Sequence, residues 1–128
     1  MTGCRIGHLA TADCAAVPHL VPVCFVLTAD RIYSAVDEKP KRTGLLKRLA
    51  NISENPQVAF LADRYREDWA RLGWVMVQGR ASIVSSGMRF DEAQTLLKKR
   101  YRQYSSMRLS PVIEIEIARV RSWGSLDP

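Results

Sequence analysis

The chain has 128 residues, of which 47% are hydrophobic and 25% charged, and carries a formal net charge of +6. This is ordinary globular composition at single-domain length, so one domain over residues 1–128 is expected, large enough to bury a core without staples. No apolar run approaches the length of a bilayer span, and Met1 to Arg5 lacks the charged and apolar regions of a signal peptide, so a cytoplasmic protein with no membrane partner is expected. The basic balance suits an anionic partner, whether nucleic acid, membrane surface or small ligand, without choosing among them. Cys4, Cys14 and Cys24 form no CxxC pair, and His8 and His19 are not at ligand spacing with them. Reduced thiols and no metal site are expected, with Cys24 a small core residue.

Arg5 to Thr11 alternates and predicts a first strand. Pro18 to Thr28 (PHLVPVCFVLT) is apolar on both faces and predicts one long strand, covered on both sides or closing a barrel. Pro22 inside it predicts a bulge or a position needing no ladder N–H. Ala29-Asp30 turns the chain, and Arg31 to Asp37 is the hairpin partner. Thr43 to Glu54 predicts a helix with Leu45, Leu46, Leu49 and Ile52 on one face, stopped by Asn55-Pro56. Lys47, Arg48 and Asn51 lie largely off that face, so replacing either cation should barely change stability. Gln57 to Tyr65 and Trp74 to Val84 are further strands. The second has small or apolar Val75, Val77, Gly79 and Ala81 on one face and Met76, Gln78, Arg80 and Ser82 on the other. Phe90 to Tyr104 predicts a second amphipathic helix. Its tyrosines fall on the apolar stripe, which favours packing over nucleic-acid stacking. Pro111 to Trp123 is a last strand whose phase flips after Ile117, the signature of a β-bulge. Trp69, Trp74 and Trp123 are expected in the core or in contacts between copies.

These elements predict a mainly β fold: a six-stranded, mostly antiparallel, Greek-key-like small barrel with two helices in its connections. From the end of the hairpin into the first helix, Lys39, Lys41, Arg42, Lys47 and Arg48 crowd into ten residues. A cationic cluster entering a helix is a natural phosphate receptor, and a solvated basic face is the plain alternative.

The ordered set PHLVPVCFVL, IYSAVDEKPKR, LKRLANISENPQVAFLAD and DWARLGWVMVQGRA resembles the pyridoxamine 5′-phosphate oxidase-like split-barrel proteins, over about Arg5 to Gly124. Those proteins bind FMN or the deazaflavin coenzyme F420, and the nearest branch is that of deazaflavin-dependent oxidoreductases. The resemblance implies a homodimer with a cofactor groove at each side of its interface. It implies a phosphate clamp at Lys47 and Arg48, with Lys39, Lys41, Arg42 and Thr43 as further donors. It places His19, Val21, Pro22 and Val23 along the ring system, Tyr33 and Ser34 beside the ring or ribityl chain, and Gln78 and Gly79 near the site. Many relatives carry a helix before the first strand, where this sequence has Met1 to Cys4, and often an Asp-Gly turn where it has Ala12 to Val17. Contacts from those features are therefore not carried over.

The function implied is hydride transfer between a flavin-type cofactor, F420 before FMN, and a small unsaturated or heteroaromatic substrate. No nucleophile constellation is present and none is needed, because the cofactor supplies the chemistry. No catalytic side chain is expected. A non-catalytic flavin or deazaflavin carrier or sensor is the alternative. Nucleic acid is not an expected partner.

Overall fold

The computed structural model describes residues 1, 3–36 and 43–126. Its strands are β1 (Gly7–Ala12), β2 (Pro18–Val23), β3 (Val26–Leu27), β4 (Arg31–Ala35), β5 (Gln57–Arg64), β6 (Gly73–Val84) and β7 (Val112–Gly124), and its helices α1 (Thr43–Glu54) and α2 (Met88–Arg100). All pair antiparallel in one seven-stranded sheet of order β2-β1-β5-β6-β7-β4-β3.

The expected single strand Pro18 to Thr28 divides, which is why the sheet has seven strands and not six. β2 ends one edge of the sheet and β3 the other, with only Cys24 and Phe25 between them. Two residues span at most about 10 Å between flanking Cα atoms, so the sheet must curl until its edges approach: a split barrel. Phe25 at the crossing has lost its ladder neighbours, and Tyr101 replaces them. Its hydroxyl accepts from Phe25 N–H at 3.0 Å and lies 2.9 Å from Phe25 O. That commitment ends α2 at Arg100, short of the expected Tyr104, because Tyr101 leaves helical dihedrals (φ −117°, ψ 107°). A short 3-10 turn, Arg102–Tyr104, follows.

The barrel interior is filled by Leu9, Phe25, Ile32, Phe60, Val75, Val77, Ile113 and Ile115, with Ile52 of α1 closing one end. The phase flip is a real bulge. Gln78 pairs with Arg119 but Gly79 pairs with Ile117, leaving Ala118 as the extra residue of β7. Gly79 is required there, since a Cβ would lie 2.4 Å from Glu116 O.

The outer surface of the sheet has two halves. α2 covers one, packing Ala93 and Leu97 on Tyr33, Ala35 and Val112. Glu114, 5% exposed, accepts from Arg31 Nε and Arg89 Nη1, each at 3.0 Å. Tyr33 donates to Glu92 Oε1 at 2.7 Å, and burial, then that carboxylate, push its phenol up to about 12. The other half, over β2, β1, β5, β6 and the end of β7, is bare. Trp74 and Trp123 are cross-strand neighbours on it. In the single chain these and Trp69 are exposed by 37%, 55% and 71%, so none is a core residue. Among the described residues no helix is long and apolar enough to cross a membrane, no acid–thiol–imidazole group is arranged to hold a metal, and the cysteines are free. Cys24 is only partly buried, against the α2 cluster.

Candidate functional site

α1 runs with the boundaries its apolar spacing predicts, but its buried face is broader than expected. Lys47 is exposed, whereas Arg48 (7% exposed) and Asn51 (0%) turn inward with Ile52. The expectation that Arg48 and Asn51 lie largely off the buried face is thus overturned: both turn inward, and the Arg48 Nε is itself buried. Asn51 Nδ2 donates to Thr11 Oγ1 at 3.0 Å, which fixes α1 against β1. Among the described residues, Asn51 Oδ1 and, on β2, His19 Nδ1 are buried and find no hydrogen-bond partner. Register places His19 opposite Thr11. These orphaned atoms, beside Arg48, suit a polyol or phosphate ligand, because buried polar groups ordinarily have partners.

The β1–β2 loop docks on the exposed side of α1. Asp13 Oδ1 accepts from Ala15 and Val17 N–H at 2.9 and 3.0 Å, and its Oδ2 stands 3.7 Å from Lys47 Nζ. The Val17 N–H is the main cause holding the Asp13 carboxyl below its ordinary value. Glu54 Oε1 accepts from Cys14 N–H at 3.1 Å. The neighbouring Glu54 carboxylate raises the Cys14 thiol, and Cys14 in turn lowers the Glu54 carboxyl.

Thr11 leads directly to a groove of about 480 Å³ on the bare outer half of the sheet. Its floor is a row in register across β1, β5, β6 and β7: Ala10, Ala59, Gln78 and Arg119. Pro18, Ala12, Gln57 and Ala118 complete most of the lining. Small side chains keep the floor low, while Gln57, Gln78 and Arg119 supply donors. A second, apolar groove of about 320 Å³ adjoins it, sharing Ala10 and Ala59 and adding His8, Leu20, Leu61 and Met76.

Among the expected site residues, Lys47, Arg48 and His19 gather near the α1–β1 contact, and Gln78 lines the groove beyond Thr11. Pro22 is exposed opposite His8, and Val21 is half-buried against the barrel core. Val23 and Ser34 are buried, Ser34 Oγ finding no partner among the described residues, and Tyr33 lies beneath α2. Gly79 is the bulge glycine. Lys39, Lys41 and Arg42 lie outside the described residues, and of Thr43 only its place at the start of α1 is described. Asn51, Gln57, Asp13 and Arg119 were missed as site residues. The phase flip located the bulge, yet alone it could not show that Arg119 faces a groove.

Fold and site together define a split-barrel protein with a cationic helix at one end of a shallow groove. Residues 1–124 match the pyridoxamine 5′-phosphate oxidase family, and the chain belongs to it. No curated protein matches the sequence. Solved structures share the fold. The heme storage protein HutZ of Vibrio cholerae is 13% identical, with a TM-score of 0.73 over 96% of this chain and 87% of that one. An FMN-binding protein of Syntrophomonas wolfei is 19% identical, with a TM-score of 0.70 over 94% and 78%. A conserved hypothetical protein of Mycobacterium tuberculosis is 21% identical, with a TM-score of 0.71 over 94% and 77%.

Proposed function

We propose that the protein is an oxidoreductase that holds a flavin-type cofactor, F420 in preference to FMN, and passes a hydride between its ring and a small unsaturated or heteroaromatic substrate. The observation that carries this reading is continuity: Asn51, one helical turn after the buried Arg48, bonds to Thr11, and Thr11 lines the groove. The residues fit such a group. Arg48 and Lys47 would take the phosphate, with Asn51 Oδ1 accepting from a ribityl hydroxyl. The small-residue floor would receive the ring. The bound cofactor would supply the hydride chemistry; the chain's own work is to bind, orient and exclude water.

The F420 tail carries anionic groups that FMN lacks, and the chain has a surplus of Lys and Arg. F420 is therefore expected to bind more tightly than FMN at low salt, with the preference shrinking as salt is added, because exposed charge pairs are screened. Parallel fluorescence titrations check this, and equal affinities or an FMN preference at low salt would refute it.

The bare half-face, with Trp74, Trp123, Leu20 and Met76, is read as the surface on which two copies meet, each covering the other's groove. A closed two-fold dimer needs one self-complementary patch. Sedimentation at micromolar concentration is expected to show a dimer, and monomer alone would refute it.

A carrier reading is favoured by one observation. His8 lies on the apolar groove with Nδ1 3.9 Å from Asp63 Oδ1, near the arrangement in which a carboxylate orients a metal-ligating imidazole. Uptake of hemin with a Soret band lost in His8→Ala, and no uptake of FMN or F420, would select a heme carrier over the oxidoreductase.

A further inference from the structure

We propose that Arg119 receives the carbonyl-bearing pyrimidine edge of the flavin or deazaflavin ring and stabilises the ring's reduced, anionic form. This inference rests on the cofactor reading above and names the residue that sets the balance between the cofactor's two redox states.

The argument starts from the bulge. Side chains along a strand alternate between faces, so an inserted residue reverses the phase of everything after it. Glu116 faces outward opposite Arg80, and Ile117 faces inward opposite Gly79. In an unbroken strand Ala118 would face outward and Arg119 would point into the barrel. Because Ala118 is extra, Arg119 comes out opposite Gln78. The bulge therefore delivers a guanidinium to the outer face at the level of the groove.

The groove's chemistry gives that cation a purpose. Among the described residues lining it, Arg119 is the only charged one. The described residues give it no hydrogen bond or ion pair, although acids are near on its own strand: Glu116 approaches Arg31, and Glu114 is held by Arg31 and Arg89. Beside it stand the amides of Gln78 and Gln57, above a floor of Ala10, Ala59, Ala118 and Pro18. Directly opposed cross-strand side chains have Cβ atoms about 4.5–5.5 Å apart, so Gln78 and Arg119 present donors to one small region. A flat, low floor with a cation and amide donors along one side fits a planar ring that carries carbonyl oxygens on one edge. On reduction such a ring gains negative charge over that edge. A fixed cation there binds the reduced form more tightly than the oxidised form, and this is how a protein tunes its cofactor's electronics.

The test uses the full chain loaded with FMN, followed by spectroelectrochemical titration. Arg119→Gln is expected to weaken binding of reduced relative to oxidised FMN about tenfold, the size of one charge-assisted hydrogen bond. For a two-electron couple that lowers the midpoint potential by about 30 mV. Arg119→Lys should recover part of the fall, since it keeps the charge and loses the fork. Arg121→Gln is the control: Arg121 faces outward two pairs further on, opposite Met76, and does not line this groove. An unchanged potential in Arg119→Gln with FMN still bound would overturn the assignment, and so would an equal fall in Arg121→Gln, which would report only net surface charge. If the parent chain binds neither FMN nor F420, the cofactor reading itself fails and takes this assignment with it.

Discussion

Phe25→Ala is expected to destabilise the protein by about 3–5 kcal/mol, the range for removing a fully buried phenylalanine. The ring is 0% exposed, meets Phe60 edge-on with centroids 4.8 Å apart, and carries the Arg100 guanidinium 4.9 Å from its centroid. It also sits at the one place where the chain crosses between sheet edges, so the cavity opens at the seam of the barrel. Tyr101→Phe should cost less, about 1–3 kcal/mol, by leaving the backbone of Phe25 unpaired in a partly buried setting. The two residues share one contact, so their effects should couple and not add. Urea unfolding of the single and double variants checks this. A loss below about 1 kcal/mol for Phe25→Ala would show that the seam is not what holds the barrel closed.

The second large effect concerns ligand binding. Arg48→Ala is expected to lower cofactor affinity roughly ten- to a hundredfold, the loss of a charge-assisted hydrogen bond to phosphate. Lys47→Ala should lose less, because an ammonium is a point charge and cannot grip two oxygens. The structure also separates the two residues in stability. Lys47 is exposed and, among the described residues, its ion pair is with Asp13 across 3.7 Å, so its removal should change stability by no more than about 0.5 kcal/mol. Arg48 is buried beside Asn51, and its truncation should lower the melting temperature of the cofactor-free chain as well. Arg48→Lys, which keeps charge and most of the stem, distinguishes packing from phosphate binding. Cofactor titration beside thermal melting is the measurement. Parent-like binding by both Lys47→Ala and Arg48→Ala would place the phosphate elsewhere.

The sequence revealed most where a pattern had only one physical explanation. The helix Thr43 to Glu54 has apolar periodicity and a proline stop, and the structure reproduces its limits. The flip after Ile117 admits only an extra residue, and Ala118 is that residue. Pro22 sits, as expected, where no ladder N–H is needed. The division of Pro18 to Thr28 was hidden because Cys24 and Phe25 are as apolar as their neighbours, so nothing local marks a change of strand partner. The end of α2 was hidden for a related reason. Tyr101 fits the helical stripe, and only its distant bond to Phe25 takes it out of the helix. Arg48 was misread because a polar residue at the edge of an apolar stripe can bury its stem, which periodicity scores as exposure. The groove gave no signal, since its floor is assembled from strands distant in the chain.

β2 has a consequence for how copies of the chain can meet. In an antiparallel ladder the N–H groups of alternate residues point to opposite sides. Pro18, Leu20 and Pro22 share one parity on this edge strand. The prolines have no N–H to give to β1, so residues of that parity point theirs away from the sheet. Along this rim only Leu20 retains a donor for an incoming strand. A template stripped of its donors does not recruit β-structure from another molecule, and edge prolines are a known guard against such templating. Self-association through a continuous intermolecular sheet is thereby disfavoured, and contact between copies is directed to side chains on the open face.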